Sequence, residues 1–311
     1  MRGSLHSRRL TPRPKSCLWH DLALMPIIAA LMLNLFFSPI AGAEKKTVIW
    51  VNENFPPAFI TSGPDKGNGI TDGAVSLYKQ HLPQYRHQHL VANMARILAL
   101  MKEGKNVCYA GFIKTPEREK YIRFSLPNII TYSNGLIVKT SRQEALFSSL
   151  KSVSLAQLLM ADQLKVGLTK GRAYGKPIDT LLKTHAAKSR NIFFRGGQDE
   201  LLGLLKMLDQ ERIDFTIGYP WEIAYLASQQ NRRDHYRVMP IQETAGHQWV
   251  ISYAGCPDTE WGRSFIRDLN QALLKVRETE TYMYHMLKWY PPELEADYRH
   301  AFEAQILSVT E

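Results

Sequence analysis

The chain has 311 residues, 45% of them hydrophobic, a formal net charge of +10 and three cysteines. Its charges are scattered rather than gathered into a basic stripe, which argues against a nucleic-acid-binding surface. The ten histidines are dispersed and no C-x-x-C or H-E-x-x-H spacing occurs, so no metal site and no cofactor are expected.

The first predicted element is a leader. Arg2, Arg8, Arg9, Arg13 and Lys15 form a basic start, and an apolar run extends from Leu22 to Phe37. Pro39 breaks it, and Ala41-Gly42-Ala43 is a small-x-small cleavage site before Glu44. This three-part layout reads as a secretory signal over residues 1–43, cut after Ala43, and the run is short for a membrane span. Export places the expected location outside the cytoplasm, in an oxidising compartment. Five of the 39 Lys/Arg and one of the 29 acids lie in the leader, so the remainder holds 34 bases against 28 acids, a net of +6. That balance weakly favours an anionic ligand or a membrane-surface partner. Cys108 and Cys256 are the cysteines left. An even count in an oxidising compartment permits a disulfide, and two unpaired buried thiols are the alternative.

Along the exported part, a β-branched run predicts a strand over 47–51, ended by the Asn52-Glu53-Asn54-Phe55-Pro56-Pro57 loop. Asp72 is expected to cap a helix running to about Gln80. A strand at 85–91, a helix at 95–103 stopped by Gly104, and a strand at 107–111 complete a βαβαβ order. That order predicts an open α/β sheet with binding loops at the strand ends. Phe124-Ser125-Leu126-Pro127 reads as a crossing segment. Beyond it, strands are expected at 135–139, 165–169, 191–194 and 213–218, with helices at 155–161, from Gly171, at 199–208 and at 220–230. Residues 249–254 read as a returning strand, and 259–276 and 281–289 as the clearest C-terminal helices. The expected division is therefore 44–133 plus 255–311 for one lobe and 134–254 for the other, with a hinge of two crossing strands.

The stretch from Cys108 to Pro127, CYAGFIKTPEREKYIRFSLP, resembles the signature of the family 3 extracellular solute-binding proteins, which capture amino acids and similar small molecules in the periplasm. Phe55-Pro56-Pro57-Ala58-Phe59, Gly69-Ile70-Thr71-Asp72-Gly73, Val166-Gly167 through Gly171, Arg212-Ile213-Asp214-Phe215 and Lys288-Trp289 are similar to further family elements in the same order. The K-T-P-E-R-E run, an early Cys and G-R-x-Y resemble a poorly characterised proteobacterial branch of that family. The resemblance implies a two-lobed type II periplasmic-binding (Venus-flytrap) fold. It makes Arg118 the carboxylate-binding arginine, with Thr115 and Gly111 beside it. It also makes Phe55 the aromatic covering the ligand, and Asn52 and Glu53 contacts at the end of the first strand. An arginine fork suits a carboxylate because it offers two parallel hydrogen bonds.

Three positions depart from the family pattern. Ile113 stands where amino-acid binders carry Ser or Thr. Gly171-Arg172 stands where Gly-Thr or Gly-Ser opens a helix, and an Arg beside free backbone N–H groups there would make an anion site. Tyr219, followed by Pro220-Trp221-Glu222, stands where an Asp pairs with a ligand ammonium; Glu222 could replace that Asp if the turn presents it. With two arginines in the cleft, the ligand is expected to be anionic or amino-acid-like, with Tyr219, Trp221, Tyr174 and Phe55 available to stack on it. The resemblance implies a monomer that hands its ligand to a membrane transporter permease, or a sensor that docks on a membrane receptor. An enzyme on this scaffold needs a general acid in the cleft. Glu53 and Glu222 are the candidates, and neither has an evident partner, so enzyme activity is not expected.

Overall fold

The computed structural model describes residues 45–311 except 149, 162, 186–189, 198–199, 231, 233 and 291. The expected leader over 1–43 lies outside the described residues.

Val48, Trp50 and Val51 bury the strand β1 (Thr47–Asn52), which pairs in parallel with β2 (Arg86–Val91) and with β3 (Val107–Phe112). Helices α1 (Ile70–His81) and α2 (Met94–Lys102) make the two crossovers between these strands, which is the expected βαβαβ order. A long strand β4 (Ile122–Tyr132) and the late strand β10 (Trp249–Pro257) complete the first sheet in the order β2-β1-β3-β10-β4. The second sheet contains β5 (Gly135–Lys139), β6 (Val166–Thr169), β7 (Ile192–Arg195), β8 (Phe215–Gly218) and β9 (Tyr236–Met239), in the order β7-β6-β8-β5-β9. Around it lie α3 (Thr140–Phe147), α4 (Leu155–Ala161), α5 (Lys176–His185), α6 (Glu200–Asp209) and α7 (Pro220–Gln229). The C-terminal helices α8 (Glu260–Val276), α9 (Glu280–Leu287) and α10 (Glu295–Phe302) bury Phe265, Tyr282 and Tyr298 in the core of the first sheet. Each sheet thus has its own apolar core, as a two-lobed α/β fold requires.

Two connections run between the sheets. Ser133, just after β4, donates its N–H to the Gln248 carbonyl, just before β10, at 2.9 Å, so the crossings lie side by side. The return comes earlier than expected. Trp249 already pairs with Tyr132, and the whole of β10 belongs to the first sheet, so a boundary at 255 would cut a strand in two. The apolar pattern marks the strand, but its pairing partner lies more than a hundred residues away, and no local signal names it.

Two local expectations are corrected. Asp72 is not the N-cap of α1. Gly69 holds that place, and Asp72, third in the helix, accepts from the backbone N–H of Gly69 at 3.1 Å and of Ile60 at 2.9 Å, and from Asn52 Nδ2 at 3.1 Å. Asp72→Ala would leave three donors without their acceptor. It is expected to cost about 3 kcal/mol, read as a lower midpoint in urea unfolding; an unchanged midpoint would contradict this. Likewise, Gly171-Arg172-Ala173-Tyr174 opens no helix. Gly171 and Gly175 have φ of +81° and +102°, so the segment is a turn that only glycine enters without strain, and α5 starts at Lys176.

Cys108 on β3 and Cys256 on β10 form a disulfide, with Cα atoms 4.4 Å apart and both side chains fully buried. It joins neighbouring strands of the first sheet and does not span the two sheets.

Candidate functional site

The C-terminal ends of β1 and β3 in one lobe face those of β6 and β8 in the other. Between them lies a cavity of about 110 Å³ lined by Glu53, Phe55, Arg118, Arg172, Trp221 and Glu222 among others. Binding at strand ends between lobes is the usual geometry of open α/β sheets.

Arg118 follows β3 by a short turn that Thr115 organises, accepting the Arg118 N–H on its hydroxyl at 3.3 Å. The side chain is 5% exposed and lies over the Phe112 ring, 5.1 Å from its centre. Its Nη1 donates to the Ile113 carbonyl at 2.8 Å, and its Nη2 donates to the Gly171 carbonyl of the other lobe at 2.9 Å. Among the described residues its hydrogen-bonding partners are these carbonyls and the Met94 thioether, and none is a carboxylate. Burial pulls its pKa down, and charges beyond bonding distance offset this in part. A desolvated guanidinium with no bonded counter-ion, facing a cavity, creates a demand for an anion. Ile113, the position that departs from the family pattern, takes part through its backbone by orienting the arginine.

Glu53, 7% exposed, directly follows β1 and accepts a short hydrogen bond from the Tyr109 hydroxyl. Burial raises its pKa. Tyr109 and Arg172 oppose the rise, Glu222 adds to it and Arg118 opposes it. In the unfolded chain a Glu titrates at about 4.3, so native Glu53 keeps its proton to higher pH. The stability it contributes is complete below the unfolded value and is lost as pH rises toward and through the raised native value. Glu53→Gln cannot ionise, so the Tm of this variant relative to the natural protein is expected to climb as pH rises above the unfolded value of about 4.3. A Tm difference that stays flat across that rise would show Glu53 to be an ordinary carboxylate.

Arg172 sits on the Gly171 turn of the second lobe. Its fork grips Glu222, with Nη1 to Oε1 at 3.2 Å and Nη2 to Oε2 at 2.9 Å. Three rings surround the guanidinium, with Phe55 at 4.7 Å, Tyr219 at 5.1 Å and Tyr174 at 5.2 Å from ring centre to Cζ. The Arg172 side chain is 10% exposed and that of Glu222 1%. Burial lowers the guanidinium pKa, but Glu222, Tyr174 and Tyr219 together outweigh it and the net shift is upward. Burial raises the Glu222 carboxyl against the pull of Arg172. The two parallel bonds favour the ionised pair. Arg172 is therefore already neutralised, and Glu222 is already committed.

The other expected residues divide in two. Phe55, Gly111, Tyr219 and Trp221 line the cavity. Phe55 reaches across to the second lobe, with its ring centre 5.6 Å from Trp221 and 6.2 Å from Tyr219. Asn52, Thr115 and Tyr174 do not line it and support it instead. Asn52 donates to Asp72, Thr115 holds the arginine turn, and Tyr174 accepts the Thr169 N–H on its hydroxyl at 2.8 Å. Sequence reading missed Thr131, Ser252, Tyr109 and Tyr290, which add polar groups to the lining. Trp221 Nε1 donates to the Thr131 hydroxyl, which also bonds the Tyr290 hydroxyl at 2.8 Å. The available signal was a small polar residue interrupting each of two apolar strands, β4 and β10.

No family model and no curated protein matches the chain. Solved structures do. A histidine-bound substrate-binding protein of an uptake transporter from Streptococcus pneumoniae has a TM-score of 0.61 at 14% identity, covering 80% of this chain and 94% of that one. An arginine-, lysine- and histidine-binding protein from Geobacillus stearothermophilus has a TM-score of 0.61 at 15% identity, covering 81% and 99%. A histidine kinase sensor domain similar to periplasmic binding proteins has a TM-score of 0.59 at 14% identity, covering 79% and 96%. At these identities the likeness establishes the two-lobed type II periplasmic-binding fold.

Proposed function

We propose that the protein is a periplasmic solute-binding protein that captures a small carboxylate-bearing, amino-acid-like ligand between its lobes and delivers it to a membrane transporter. The observation that carries this reading is Arg118, a buried cation that lines the cleft with no bonded carboxylate. The Arg118 bond to the Gly171 carbonyl reaches from one lobe to the other, so a ligand held by the arginine would also favour closure. With Arg172 and Glu222 cancelling, Arg118 and Glu53 are the groups left for a ligand, one for a carboxylate and one for a donor group such as an ammonium. This revises the expectation of a cleft with two free arginines. The transporter-associated neighbours support delivery. The sensor-domain neighbour supports a second reading, a ligand sensor on a membrane receptor. Export by the leader, the monomeric state, the proteobacterial branch and a non-enzymatic role belong to the same reading. No helix among the described residues is long and apolar enough to cross a membrane.

The test is a thermal-shift screen of the chain from Glu44 onward, with amino acids, their decarboxylated amines and simple carboxylates. Compounds with a carboxylate are expected to raise Tm by mass action and the matching amines are not. Stabilisation by the amines alone would end the carboxylate reading. Uptake of a labelled hit, compared with and without the gene, then separates delivery from sensing.

A further inference from the structure

The Arg172–Glu222 pair has the form of an occupied binding site. A planar fork holds a carboxylate by two parallel bonds, aromatic rings surround the guanidinium, and both residues line the ligand cavity. Asn134 Oδ1 accepts from Arg172 Nη2 at 3.4 Å, and the Tyr219 N–H points at Glu222 Oε2 at 3.4 Å. These are the contacts that a ligand carboxylate would seek, yet the carboxylate comes from the chain itself, fifty residues along.

We propose that Glu222 is a built-in carboxylate that fills a second anion site in the cleft and thereby restricts the ligand to a single carboxylate. The inference rests on the cleft being the ligand site. A ligand with a second carboxylate finds no free cation beyond Arg118. To reach Arg172 it must displace Glu222, whose side chain is 1% exposed, and leave that carboxylate buried and unpaired near Glu53. Like charges forced together in a dry cleft exclude the wrong partner. Glutamate, aspartate and succinate are therefore refused by a hundredfold or more relative to monocarboxylates of the same shape.

Glu222→Ala opens the site. Millimolar acetate or succinate is expected to raise the Tm of this variant by several degrees more than that of the natural protein, in which Arg118 is the one cation among the described cleft residues open to them. If the variant does not fold in plain buffer, the same anions are expected to restore folding, read by circular dichroism after refolding with and without acetate. Arg172→Leu combined with Glu222→Leu removes both charges, and its Tm is expected to show no acetate response beyond that of the natural protein. Adding Arg118→Ala to Glu222→Ala is expected to leave the acetate response in place. The proposal is overturned if Glu222→Ala gains neither stability nor folding from any carboxylate, if the acetate response disappears with Arg118, or if the natural protein binds glutamate as tightly as glutamine. Failure of the Arg118 reading looks different. Hits from the screen would then survive Arg118→Ala, while the acetate response of Glu222→Ala, which depends on Arg172, would remain.

Discussion

Arg118→Ala is expected to weaken capture of a carboxylate ligand by about thirtyfold or more, because truncating one partner of a buried charge-assisted pair costs about 2–5 kcal/mol. The guanidinium is held by the Ile113 and Gly171 carbonyls and by the Phe112 face, so its orientation is set before a ligand arrives. Arg118→Lys is expected to recover little. A point charge on a flexible stem cannot hold both carbonyls and also meet a carboxylate in two parallel bonds. Baseline stability is expected to fall as well, because alanine leaves two carbonyls unpaired while also removing a desolvated charge, and the net expected loss is about 1–2 kcal/mol. Titration calorimetry reads the affinity and ligand-free unfolding reads the baseline. Affinity that survives while the baseline collapses would make Arg118 a structural residue.

Reduction of the Cys108–Cys256 bond is expected to lower the stability of the first lobe by roughly 5 kcal/mol, the chain-entropy value for a loop of this length. The bond spans 148 positions and ties β10, the strand that returns from the second lobe, to β3. Without it the returning strand must be held by pairing and packing alone. Thiol titration of the denatured, unreduced protein is expected to find no free thiol from these two cysteines, and Cys256→Ser is expected to unfold at lower denaturant. Equal midpoints for the natural and substituted proteins would mean that the bond does not form in solution. Because the bond lies within one lobe, protein that remains folded after reduction is expected to keep its ligand affinity.

How far the sequence could be read depended on the range of the forces involved. The βαβαβ order of the first lobe was legible because alternation and helical spacing record which side of each element is buried. Arg118 was legible because its turn and its strand lie within a few residues of it. Asn52, Thr115 and Tyr174 looked like ligand contacts because they flank the cleft loops. Whether a residue in such a loop points into the cavity or braces it from behind is decided by partners such as Asp72 and Thr169. Thr131 and Ser252 escaped notice because their strands, β4 and β10, pair with each other only once β10 has returned from the second lobe.

The sequence by itself determined the two-lobed α/β class, the arginine at the end of β3 and the cysteines that could pair, since each rests on local pattern or on residue chemistry. Only the tertiary structure decided that Arg172 is spent on Glu222, that Glu53 is buried beside Tyr109, and that β10 joins the first sheet from its first residue. Those outcomes depend on which charged group reaches which partner once water is excluded, and partners fifty or more residues apart leave no periodic trace in the chain.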